Sequence, residues 1–167
     1  MEFTPDDFNE AADLADLIKN IDNIDAEYVD KISDEIYKYQ PFFLSVMLGY
    51  SLDVTPLEMD EIIKIHLIIW IYFRSNKNVR SKKVTQANFE KMSQRNFQML
   101  KYNDGEKSLS ARSEIYGNNL QQLKSKALIA AIFFRVENKP VLIKMDAYFK
   151  GCIMIGVKSF IECFETI

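Results

Sequence analysis

The side chains able to carry chemistry are few and far apart. His66 is the single histidine among 167 residues. On a helix its neighbours at three and four positions are Ile62, Ile63, Ile69 and Trp70. A Glu-x-x-His ligand pair would need a carboxylate at position 63, where isoleucine stands. One histidine supplies neither a histidine-rich metal centre nor the His-Glu-x-x-His pattern, and no loop has calcium-ligand spacing. No metal and no cofactor are therefore expected. His66 reads as a core or groove histidine with one hydrogen-bond partner; the functional alternative is a lone acid–base group lining a pocket.

Nucleophiles are no better placed. Gly49-Tyr50-Ser51-Leu52-Asp53 fails the Gly-x-Ser-x-Gly elbow at its last position and does not follow a strand. Neither a glycine-rich phosphate loop nor a dinucleotide fingerprint occurs. Cys152 and Cys163 fall on one predicted helix, about 16 Å apart along its axis. A disulfide needs α-carbons within about 7 Å, so the two cannot pair there. Two buried, reduced thiols in a cytoplasmic protein are expected. No catalytic residue is assigned.

The basic residues offer more. From Arg74 to Lys83 the chain carries Arg74, Lys77, Arg80, Lys82 and Lys83 with no acid between them, and Lys91, Arg95 and Lys101 follow. Such clustering suits an anionic ligand or partner. A pI of about 5.3 disfavours nucleic acid. The competing reading is a solvated face set against acidic helices. Residues 1–61 supply those helices, with 16 Asp/Glu against Lys19, Lys31 and Lys38. Arg74 and Arg135 both lie at the ends of apolar helical runs, where they complement a helix dipole or converge on an anion.

Positioning these groups falls to helices. Gly (5) and Pro (4) are scarce, and hydrophobic residues make up 48%, a globular balance without β-type turns. Thr4-Pro5-Asp6-Asp7 starts a helix to about residue 20, and Asp25 caps one through Tyr39 with Tyr28, Val29, Ile32, Ile36 and Tyr39 as its stripe. Pro41 opens a short helix to Tyr50. Thr55-Pro56-Leu57-Glu58 combines a capping box with proline at the first helical position. The helix it opens, over 56–75, has apolar residues on nearly every side from Ile65 to Phe73, and a helix apolar all round is buried all round. Thr85 starts a helix to about Tyr102, which Asn103-Asp104-Gly105 closes as a turn.

A helix over 117–137 follows, with Tyr116, Leu120, Leu123, Ala127, Ala131 and Phe134 as its stripe. Pro140 to Ile143 is the one stretch allowed to be extended. Asp146 caps the last helix, with Phe149, Cys152, Phe160, Cys163 and Ile167 on one face. Gly151 and Gly156 in that helix would let another backbone come close. Were it at the rim, Phe160, Phe164 and Ile167 would form an apolar face for a homodimer.

One internal echo stands out. Residues 67–74 and 128–135 are both apolar runs ending in arginine, each followed by an Asn-Lys pair, Asn76-Lys77 and Asn138-Lys139. Ala87-Asn88-Phe89 then answers Ala147-Tyr148-Phe149. The pattern predicts a duplicated helix–loop–helix unit of about 60 residues.

The first seven residues lack the basic-then-apolar layout of a leader. The apolar run over 62–73 would rise about 18 Å, short of a ~30 Å hydrocarbon core. The expected protein is a cytoplasmic, all-α bundle of six or seven helices forming one domain over 1–167, with no membrane segment. Its expected role is that of a non-catalytic helical interaction or scaffold protein, with a homodimer or another protein as partner. The alternative is a small-molecule or anion-binding protein or enzyme with a pocket near His66, Arg74 and Arg135.

Overall fold

The computed structural model describes residues 4–105, 108, 110, 117, 118 and 120–167. Among them every regular element is a helix. The order is α1 (Pro5–Ile21), α2 (Ala26–Tyr39), α3 (Pro41–Gly49), a 3₁₀ turn (Tyr50–Leu52) and α4 (Pro56–Phe73). Then come α5 (Lys77–Ser81), α6 (Gln86–Gly105), α7 (Lys126–Asn138), α8 (Pro140–Lys144) and α9 (Ala147–Thr166). No helix among the described residues is long and apolar enough to cross a membrane.

Side-chain oxygens satisfy the orphan amides at the helix starts. Thr4 and Thr55 both form reciprocal capping boxes, with Asp7 and Glu58 reaching back to the cap amide. Asp25 accepts from the Tyr28 amide at 2.8 Å, Thr85 from Asn88 at 3.2 Å and Asp146 from Tyr148 at 2.9 Å. All five predicted starts hold.

The connectors differ from expectation, which raises the described helices from six or seven to nine. Asn76 caps Lys77–Ser81 within the expected basic linker. Pro140 takes the first position of a short helix, so Pro140 to Ile143 is not extended. Helix α6 runs through Asn103-Asp104-Gly105 because glycine weakens a helix without removing a hydrogen bond, as proline would.

The helix expected over 117–137 is broken at 122–125. There the Ser125 amide and hydroxyl both donate to the Glu165 carboxylate of α9 at 2.7 Å, and α7 starts only at Lys126. Its buried face carries Leu128, Ile129, Ile132 and Val136, while Phe134 of the expected stripe is 67% exposed. Tyr116 lies outside the described residues.

Helix α4 runs through the middle and touches α1, α3, α7, α8 and α9. Ile62, Leu67, Ile68, Ile69 and Trp70 have no exposed surface. Two further pairs, α1 with α7 and α6 with α9, close around it. Phe43 of α3 meets Phe160 at 4.7 Å and Phe164 at 5.2 Å, and Phe89 of α6 stacks on Phe160 at 4.3 Å. Aromatic pairs at these separations add to the burial of their area. Phe160 and Phe164 are fully buried, so the second half of α9 is core, not an open rim.

The sequence echo has a counterpart in element order. A core helix, a five-residue helix and a 20-residue helix follow one another as α4–α5–α6 and again as α7–α8–α9.

Gly156 sets the closest approach in the packing. A Cβ there would lie 2.2 Å from the Tyr50 hydroxyl and 3.5 Å from its ring carbon. Gly156→Ala should therefore cost about 1–3 kcal/mol in chemical denaturation. Adding Tyr50→Phe, which removes the colliding oxygen, should recover most of that loss; an equally unstable double variant would refute the contact.

Candidate functional site

His66 sits in the core of the bundle with no exposed surface. Its Nδ1 lies 2.8 Å from the Ile62 carbonyl one turn back, so Nδ1 carries the proton and donates. Nε2 finds no partner, and the rings of Phe43 and Tyr50 lie 5.3 and 5.8 Å away. Burial alone pushes the imidazole down to about 4, against only a weak opposing pull from the carbonyl. It is a neutral core histidine facing aromatic rings. Tyr50 beside it is pushed up to about 12, again by burial.

Arg74 and Arg135, equivalent in the sequence echo, end up in different surroundings. Arg74 is the residue after α4 and reaches Glu35 of α2 at 3.4 Å, with 38% of its side chain exposed. Arg135 is buried, and its Nη2 lies 2.7 Å from both Asp22 of the α1 cap and Glu61 of α4. Lys139 holds Asp22 from the other side at 2.9 Å, and Lys64 joins Glu61 at 3.8 Å and Asp60 at 2.7 Å. Burial pushes the Asp22 carboxyl up, but hydrogen bonds from Lys139 and Arg135 outweigh it and hold the group below its usual range. Arg135 thus joins α1, α4 and α7 internally. His66, Arg74 and Arg135 are not brought together.

The remaining basic residues form one displayed surface. Lys77, Arg80, Lys82 and Lys83 are all exposed on or beside α5. Arg80 donates to the Tyr39 hydroxyl at 2.9 Å and its guanidinium lies 4.5 Å from that ring's centre. What fixes this segment is Gln40, between α2 and α3, whose side chain is fully buried. Its amide nitrogen donates to the carbonyls of Val79 at 2.5 Å and Lys82 at 2.7 Å. Its amide oxygen accepts from the Val84 amide at 2.9 Å. Three hydrogen bonds from one buried side chain hold the backbone of 79–84 in one shape. Only tertiary contact reveals this role; in sequence, Gln40 is a polar residue before a proline.

Arg95 belongs to a second polar cluster, between α6 and α9. It pairs with Glu162 at 2.7 Å. Glu162 also takes a hydrogen bond from Lys158 one turn earlier and one from the Asn96 amide at 2.8 Å. Lys158 donates to Asn96 Oδ1 at 2.6 Å, and the Asn96 amide also reaches the Ser159 hydroxyl at 3.0 Å. Burial lowers the Lys158 ammonium despite the carboxylate beside it. Asn96, Lys158 and Ser159 are buried polar groups that sequence reading passed over, because flanking apolar residues masked them.

The cysteines part company. Cys163 is buried, which pushes its thiol up to about 11, whereas Cys152 is exposed. The expectation of two buried thiols fails for Cys152 because the first turns of α9 lie at the rim. Among the described residues, no three His, Cys, Asp or Glu side chains converge on one metal position.

His66 sets a pH dependence. Its folded value of about 4 lies below the 6.5 of a free imidazole, so between these the unfolded chain binds more protons. This contribution is complete above pH 6.5 and is lost as pH falls toward 4, by about 3 kcal/mol in all. Denaturant titrations across that window should show the decline in the wild type and a flatter profile in His66→Phe. Equal slopes in both would show that His66 does not titrate this way.

No protein-family model, no curated protein and no solved structure matches this chain.

Proposed function

We propose that this chain is a non-catalytic helical interaction protein that offers the cationic face of α5 to an acidic protein partner. The Gln40 clamp carries this reading. It spends three buried hydrogen bonds on the shape of a surface segment bearing Lys77, Arg80, Lys82 and Lys83. A backbone held in advance loses less freedom on binding, so charges displayed on it bind more favourably than the same charges on a floppy loop. A catalytic reading has weaker support. His66 is sealed and Arg135 is bound to two carboxylates. The two free thiols support a reducing, cytoplasmic setting.

Fluorescence titration with a poly-glutamate peptide at low salt tests the partner class. The wild type should bind saturably, weaken as salt is raised, and lose affinity about tenfold or more in Lys77→Glu/Lys82→Glu/Lys83→Glu with its thermal melt unchanged. No binding at low salt would reject the surface. Stronger binding to duplex DNA than to the peptide would reject the partner class.

The repeated order of elements supports internal duplication as the origin of the fold. Superposing residues 56–103 on 117–165 should return matching interhelical angles within the ~20° scatter of helix packing. Larger differences would leave the echo to chance.

A further inference from the structure

An opening lies away from the α5 face, between α6, α7 and α9. Its inner part, about 80 Å³, is walled by Met99, Leu100 and Phe133 and ends on Asn96 and Lys158. An outer part of about 520 Å³ continues past Phe133, Gly151 and Met154 toward Ile143. The two share those last-named walls at Phe133, Gly151 and Met154, so they form one groove with an apolar middle, Asn96 and Lys158 at its inner end, and Glu137 and Lys150 on its outer part. Only the inner part is enclosed enough to bury a narrow group, and the outer part is an open channel along the surface.

Two features of this groove go beyond an accident of packing. The first is Gly151, in the interior of α9, where glycine weakens a helix relative to alanine. At Gly156 the absence of a side chain is forced by Tyr50, but a Cβ at Gly151 would meet nothing within 4 Å. The structural effect of glycine at 151 is to keep the groove open. The second is Lys158, only 6% exposed. Its ammonium has three N–H groups. Asn96 and Glu162 take two, and no acceptor among the described residues takes the third.

The groups facing this end decide the kind of ligand. Lys158 and Arg95 both bind Glu162. Glu165, the next acid on α9, also acts on Lys158, since it accepts from the neutral amide and hydroxyl of Ser125 and keeps its charge. Two cations and two carboxylates balance, and the selecting group is the third N–H of Lys158, a donor that suits a carboxylate head and offers nothing to a cationic one. The methionines flanking the groove adapt to a flexible chain.

We propose that the groove binds a free single-chain carboxylate amphiphile, of the fatty-acid class. Its carboxylate accepts the third N–H of Lys158, and its chain runs outward over Gly151 between Phe133 and Met154. Isothermal titration calorimetry of the full chain with decanoate, below its micelle concentration, tests this. Decanoate should bind at one equivalent, and decan-1-ol about tenfold or more weakly for want of the charge-assisted bond. Gly151→Leu should abolish binding while keeping the wild-type melt, since the side chain enters open space. Lys158→Met should remove the preference for decanoate over the alcohol. The proposal is overturned by non-saturable uptake in the wild type, by equal binding of acid and alcohol, or by undiminished binding in Gly151→Leu.

Discussion

From Ile65 to Phe73 helix α4 is apolar on nearly every side, and a helix of that kind is stable only when other helices cover it all round. That requirement organises the rest. It explains why α1, α3, α7, α8 and α9 all touch one helix. It also makes every polar atom on α4 a problem to be solved. His66 satisfies only Nδ1, by bonding back to Ile62, while its Nε2 and the Trp70 Nε1 stay buried without a partner among the described residues. Glu61 cannot be left so, because an ionised carboxylate removed from water costs several kcal/mol unless a cation meets it. Arg135 of α7 is that cation, and it carries the link on to Asp22 at the end of α1. The charge pair therefore sets how far α7 can slide along α4.

The same logic recurs between α6 and α9 with a different result. There, Asn96, Lys158, Ser159 and Glu162 form a buried polar seam beside an apolar wall. In the Arg135 cluster Nη2 meets two carboxylates while Nε and Nη1 stay buried without a partner, and in this seam two acceptors among the described residues meet the Lys158 ammonium. What separates the two is access, since the Arg135 side chain is sealed inside the bundle while Lys158 lines an opening between α6, α7 and α9. The α5 face is a third variation. Its charges point to water, and the buried investment lies in Gln40 beneath them.

Much of the helical framework was legible in the chain. Thr4, Asp25, Thr55, Thr85 and Asp146 all mark helix starts through bonds spanning two or three residues, which nearby sequence specifies. The errors arose where a distant group intervened. The helix expected over 117–137 stops short because Glu165, 40 residues onward, captures Ser125. Phe134 of the expected stripe meets water although Ala127, two turns earlier on the same helix, is buried, because the packed face of α7 runs through Leu128, Ile129, Ile132 and Val136 instead. Of the candidate site residues, His66 was correctly read as a core group with one partner. Gln40 and Asn96 gave no local signal, since their partners lie 39 to 66 residues away, and Lys158 offered only its pairing with Glu162 one turn on, which does not tell a buried lysine from an exposed one.

By itself, then, the sequence determined helicity, most helix starts and the identity of the buried central helix. Caps act within one turn, and a helix's apolar periphery is a property of its own residues, so neither needs knowledge of the fold. Tertiary structure alone decided which charges are spent inside. Arg74 and Arg135 occupy like places in two similar stretches, yet one lies half in water beside Glu35 and the other lies buried between Asp22 and Glu61. The difference is not in the residue or its neighbours along the chain. It lies in which carboxylates the packing of other helices brings within reach, because the strength of a charge pair depends on separation and on the water excluded around it.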